Sequence, residues 1–123
     1  MRNTARTATI ALSLAALFTG ASLVPQVATA ASAESVEKGK AIAWDRKKGN
    51  CLACHMLPGG VAPGDLGPPL IAMKARFPDR QKLFDQIHDA TKSNPSTRMP
   101  PFGKYKALSD ADINAIVDYL YTL

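Results

Sequence analysis

The chain has 123 residues and a formal net charge of +5, with fifteen Lys and Arg against ten Asp and Glu. Without Arg2 and Arg6 of an N-terminal leader the excess falls to 13 − 10 = +3, too small for a nucleic-acid binder. Once an N-terminal leader is set aside, roughly 90 residues remain, room for one domain.

The leader is read from the first residues. Arg2 and Arg6 mark a short basic start, "TIALSLAALFTGASLV" is an apolar run, and "ATAASA" supplies small residues around Ala30 to Ala33. This is the pattern of a cleavable secretory signal over residues 1–30, cut between positions 30 and 33, ahead of a domain over 34–123. The apolar run is shorter than the roughly 20 residues of a spanning helix and meets a small-residue site instead of a charged stop-transfer flank. No later segment is apolar enough for membrane insertion. Cleavage removes Arg2 and Arg6 from the net charge. Arg46, Lys47 and Lys48, and later Lys104 with Lys106, then read first as solvated charge and second as a docking surface for an acidic partner.

From Ser35 to Lys48, "SVEKGKAIAWDRKK" predicts a helix, with Ser35 as N-cap, Glu37 in the first turn, basic residues in the last turn and Gly49 as the stop. It delivers the chain to "GNCLACHML", which holds the two cysteines, Cys51 and Cys54, followed at once by His55.

Four chemistries compete for such a motif: a disulfide staple, a redox dithiol, half of a zinc site, and attachment of a c-type haem. A structural zinc site wants four N or S ligands, and beyond these three residues only His88 remains. A redox dithiol wants a βαβ setting, and no alternating β-branched run precedes Gly49. A staple would close too small a loop to restrict the unfolded chain and would leave His55 without a role. Haem attachment uses every residue. Each thiol adds to a vinyl group as a thioether, and His55 becomes the proximal iron ligand. A covalent macrocycle would also supply the apolar bulk that so short a domain lacks.

Residues 58–69, "PGGVAPGDLGPP", read as a loop, with Pro69 opening a short helix through Lys74. "DRQKLFDQIHDATK" places Leu83, Phe84, Ile87 and Ala90 on one face of a second full helix ending before Asn94-Pro95. "NPSTRMPPFGKYKAL" breaks into loop. Ser109 and Asp112 form a weak capping box ahead of Ile113, Ile116, Val117 and Leu120, the period of a half-buried helix. The expected class is all-α: three main helices and a short one around one haem.

The sixth ligand has four candidates. Met56 follows the proximal histidine too closely to cross the haem plane. Met73 sits at helix spacing from Leu70, the place of a core filler. His88 lies in a regular helix, where surface or hydrogen-bonded histidines are the rule. Met99 differs: in "RMPP", Pro100 and Pro101 fix two φ angles and hold the preceding residue extended, which presents one thioether at a set place.

The helix, "CLACH", "LGPPL", the Met-Pro loop and the last amphipathic helix together resemble class I cytochromes c. More specifically, "GNCLACHMLPGGVAPGDLGPPLIAMKARFPDR" and "NPSTRMPPFG" resemble the SoxX family, the monohaem subunits of sulfur-oxidising SoxAX cytochromes. The resemblance implies a periplasmic heterodimer with a SoxA-like cytochrome subunit. That complex would act as an L-cysteine S-thiosulfotransferase, coupling thiosulfate oxidatively to a SoxYZ carrier and passing electrons to a cytochrome acceptor. It implies Cys51 and Cys54 as haem attachment points, His55 and Met99 as axial ligands, and Pro68, in "LGPPL", as the carbonyl that accepts a hydrogen bond from the proximal histidine. With both cysteines consumed, no thiol is left for a disulfide to SoxA or for sulfur conjugation. The chain would then relay electrons while its partners do the sulfur chemistry. A free-standing, diffusible class I cytochrome c shares every haem feature.

Overall fold

The computed structural model describes residues 31–123; the leader expected over residues 1–30 lies outside them. Among the described residues there is no strand. Helix α1 (Ala33–Trp44) is followed by a 3₁₀ turn at Cys51–Ala53, then α2 (Met73–Arg76), α3 (Arg80–His88), a second 3₁₀ turn at Ala90–Lys92, and α4 (Asp110–Leu120). The architecture is the all-α arrangement expected, with α1, α3 and α4 as its main helices and α2 as the short one.

Four boundaries differ from expectation, each for a local reason. The N-cap of α1 is Ser32, not Ser35: its extended backbone lets its side chain accept from the Ser35 amide at 3.1 Å. The helix stops at Trp44 because Asp45 turns extended and its Oδ1 accepts from the Lys47 amide at 2.8 Å. Arg46, Lys47 and Lys48 therefore occupy a turn. Pro69 does not open α2, which begins four residues later, after Ala72 in the left-handed region (φ 50°). α3 ends at His88 instead of running to Lys92, because Asp89 leaves helical geometry (φ −153°) and caps the next 3₁₀ turn.

The start of α4 carries both halves of a capping box. Ser109 Oγ accepts from the Asp112 amide at 3.1 Å, and the Asp112 carboxylate accepts from the Ser109 amide at 3.4 Å. Its apolar positions Ile113, Ile116, Val117 and Leu120 are buried at 3% exposure or less. They meet Ile42 and Ala43 of α1, Met73 of α2, Leu83 and Ile87 of α3, and Leu57, Leu70 and Leu108 from the connections, in one core. The crossing of α1 over α4 is close, since a Cβ on Gly39 would overlap the Ala115 carbonyl. Polar bolts add orientation. Arg80 of α3 donates to Asn114 Oδ1 at 2.6 Å and Asp118 Oδ1 at 2.7 Å, and the Ser35 hydroxyl of α1 donates to Asp118 Oδ2 at 2.5 Å. The chain end is drawn in as well, with Tyr121 donating to the Phe77 carbonyl at 2.6 Å and the Met73 amide to Leu123 at 3.1 Å. No helix among the described residues is long and apolar enough to cross a membrane.

Candidate haem site

The cysteine motif hangs from the end of α1. Gly49 donates to the Ile42 carbonyl at 3.1 Å, and a Cβ there would lie 2.8 Å from that oxygen, so only glycine lets the turn fold back this tightly. Asn50, left-handed at φ 47°, then redirects the chain into the 3₁₀ turn. The amides of Cys54 and His55 both donate to the Cys51 carbonyl, at 3.2 and 2.9 Å. That single turn brings Cys51, Cys54 and His55 to one cavity. The two thiols are free rather than joined as a disulfide. Burial pushes the Cys51 thiol up to about 11, with Cys54 beside it adding to the rise and a backbone hydrogen bond opposing it. Without a bound group, that burial favours the neutral thiol of Cys51 over the exposed thiolate of a redox nucleophile.

The segment 64–70 is laced back onto this turn. Gly64 donates to Leu52 at 2.9 Å, Gly67 to Cys54 at 2.7 Å and Leu70 to Met56 at 2.8 Å. The lacing sets Pro68 over the imidazole, and His55 Nδ1 lies 2.7 Å from the Pro68 carbonyl oxygen. A carbonyl only accepts, so Nδ1 carries the proton and the neutral ring keeps its lone pair on Nε2. This is the tautomer an iron ligand needs. Gly67 lies flat against the ring, where a Cβ would sit 2.6 Å from Nδ1 and 2.8 Å from Nε2. Arg76 closes the arrangement by donating to the Pro69 carbonyl at 2.6 Å. Gly67 and Arg76 are contributors the sequence reading did not single out. The glycine was signalled by "LGPP"; the Arg76 contact, seven residues away, had no local signature.

Met99 arrives from the loop between the second 3₁₀ turn and α4. Its amide donates to Thr97 Oγ1 at 3.2 Å and its sulfur lies 4.0 Å from Gln86 Nε2, placing the half-buried side chain on the same cavity. Of the other candidates, Met73 also lines the cavity, but it is 2% exposed in the core and its sulfur already accepts from Arg76 at 3.5 Å. Met56 and His88 do not line it. His88 instead stacks on Phe84, with ring centroids 5.7 Å apart.

The cavity is about 510 Å³, within the roughly 300–1,000 Å³ of small-molecule and cofactor sites. Leu70, Phe77, Leu83, Ile87, Phe102 and Ile116 are among its apolar walls. Five cations, Arg46, Lys47, Lys48, Arg76 and Arg98, line it, with no Asp or Glu. Two thiols, an imidazole with a free Nε2 and a thioether, converging on a largely apolar hollow, fit a haem attached through two thioethers. Among the described residues no group of three or more His, Cys, Asp and Glu side chains could hold a bare metal ion instead.

Residues 34–120 match the family described as cytochrome c oxidase, cbb3-type, subunit III. The chain belongs to this cytochrome c family. Membership makes it an electron-transfer cytochrome of c type and implies covalently bound haem c. This cytochrome is also 34% identical over 76 residues to an uncharacterized lipoprotein of Aquifex aeolicus (strain VF5). The match covers 61% of the present chain and 37% of the relative, so the cytochrome spans little more than a third of that protein's length.

Proposed function

We propose that this chain is an exported, monohaem cytochrome c acting as the electron-relay subunit of a SoxAX-type L-cysteine S-thiosulfotransferase. The observation that carries the relay reading is the His55–Pro68 hydrogen bond of 2.7 Å, which frees Nε2 toward the cavity shared by Cys51, Cys54 and Met99. Haem c, when bound, supplies a one-electron couple. Cys51 and Cys54 would anchor it, His55 and Met99 would be its axial ligands, and Pro68 would fix the imidazole's orientation and basicity. A neutral thioether favours ferrous over ferric iron, as do cations in the lining.

The sulfur-oxidation reading is supported by the likeness of residues 49–80 and 94–103 to SoxX, and by cysteine arithmetic. The chain has two cysteines, and attachment consumes both. Nucleophilic sulfur chemistry needs a free thiolate, so the coupling of thiosulfate to a SoxYZ carrier falls to the SoxA-like partner, joined without a disulfide. Export to the periplasm is supported by the basic start, apolar run and small-residue site of residues 1–33, and by a relative whose name is lipoprotein.

The test is co-expression with a SoxA-like chain. The pair should copurify and reduce an external cytochrome in a thiosulfate-dependent manner, while the isolated chain is reducible but inert toward thiosulfate and carrier. Conjugation by this chain alone, or full partner activity without it, contradicts the proposal. A monomer with no partner and ordinary electron transfer would instead mark a diffusible carrier.

A further inference from the structure

The loop carrying Met99 is fastened to the end of α3 at two residues just beyond the sulfur. The His88 carbonyl, with two lone pairs, accepts from the amides of both Gly103 and Lys104, each at 3.1 Å. The His88 ring presses on Gly103, where a Cβ would fall 2.6 Å from Cγ and from Nε2, so a side chain at 103 is excluded. Lys104 Nζ lies 3.3 Å from Asp89 Oδ2, and the Asp89 side chain is only 6% exposed. The other Asp89 oxygen accepts from the Thr91 amide and hydroxyl, which leaves Lys104 as the cation facing this buried carboxylate.

Between Met99 and this clasp the Phe102 side chain packs on the core, and the backbone bonds within its own loop, the Pro101 and Phe102 carbonyls accepting from the Tyr105 and Leu108 amides at 3.2 and 3.1 Å. Pro100 and Pro101 donate no hydrogen bonds, and the Phe102 amide bonds only locally, to the Pro100 carbonyl at 3.0 Å. The first hydrogen bonds that tie the chain beyond Met99 to the helical body are therefore those at Gly103 and Lys104. Neither His88 nor Asp89 lines the cavity, so both act on it through the loop.

We propose that His88 and Asp89 are positioning residues for Met99. Their clasp on Gly103 and Lys104 sets how readily the sulfur leaves its axial place, and hence how closed the sixth position is to outside ligands. The inference rests on Met99 being that ligand. Removing Lys104 strands a buried carboxylate, and adding a Cβ at 103 displaces the ring; either opens the loop locally without touching the core shared by α1 and α4.

The experiment measures the rate of imidazole binding to the ferric, haem-matured protein, beside its global unfolding midpoint. Lys104→Met and Gly103→Ala should speed imidazole entry by roughly tenfold or more, and Lys104→Arg should keep the wild-type rate. Lys38→Met is the control: it breaks a more exposed pair, 3.1 Å to Asp112, whose side chain is 24% exposed, and touches none of His88, Asp89, Gly103 and Lys104, so it should leave the rate unchanged whatever it does to global stability. Met99→Ala should bind imidazole fastest of all. Wild-type rates in both clasp variants, or an equal acceleration in Lys38→Met, overturn the clasp alone. A Met99→Ala protein with the wild-type rate overturns the ligand assignment and the clasp with it.

Discussion

Gly39 of α1 lies so close to Ala115 of α4 that a Cβ on the glycine would overlap the Ala115 carbonyl and come within 2.9 Å of the Ile116 amide nitrogen. Helix propensity alone favours Gly39→Ala by roughly 1 kcal/mol. The overlap is with backbone and cannot be relieved by a side-chain rotation, so the helices must separate and loosen Ile42, Ile113 and Ile116. An overpacking cost of about 3 kcal/mol, the upper end of the usual range, less that gain leaves a net loss of about 2 kcal/mol, measured as a lowered denaturation midpoint with an unchanged haem spectrum. A stabilised Gly39→Ala protein would refute the close crossing.

The axial assignment predicts that Met99→Ala abolishes the weak near-infrared sulfur-to-iron band and lowers the reduction potential. Met73→Leu should keep the band. It should cost less than about 1.5 kcal/mol of stability, because it conserves volume at a site that is 2% exposed. Persistence of the band in Met99→Ala would move the role to another residue.

Gly67→Ala should disturb the haem environment without unfolding the protein, because the added carbon meets the imidazole and not the core. The expected readout is a shifted potential and altered proximal-histidine resonances, with the near-infrared band retained. Wild-type values for both would mean the ring does not sit against Gly67.

Much of this was open to reading from local pattern. α4 announces itself through Ser109, Asp112 and a regular apolar period, and Cys51, Cys54 and His55 come from one turn of chain. What stayed hidden depends on partners distant in sequence. Ser35 looks like a cap because serine before an apolar run usually is one, yet its hydroxyl is engaged by Asp118, 83 positions away. The end of α3 is set by Asp89, whose carboxylate also meets Lys104, so a residue that reads as helical serves a loop contact instead. The cavity's charged lining residues are all cations, Arg46–Lys48, Arg76 and Arg98, gathered from three separate stretches. No window of sequence displays that convergence.

Acid should weaken the fold through two carboxylates. Hydrogen bonding from Thr91, then Lys104, holds Asp89 below the ordinary carboxylate range; Ser109, then Lys38, does the same for Asp112. A depressed folded value means the stabilisation is complete above the unfolded value of about 3.9 and is lost as pH falls below it through the folded values. Denaturation midpoints should therefore hold from pH 7 to 5 and drop below about pH 4. Asp112→Asn should flatten that drop; an unchanged acid limb would dismiss Asp112 as a contributor.

The most direct test of the central claim is acid–acetone extraction of the exported, haem-matured protein, followed by a haem count on the chain. The account predicts that one haem stays with the polypeptide, that Cys51→Ser with Cys54→Ser releases it, and that the retained haem shows the near-infrared band. Haem that passes freely into the acetone phase from the unaltered protein would contradict covalent attachment through Cys51 and Cys54, and with it the relay built on His55 and Met99.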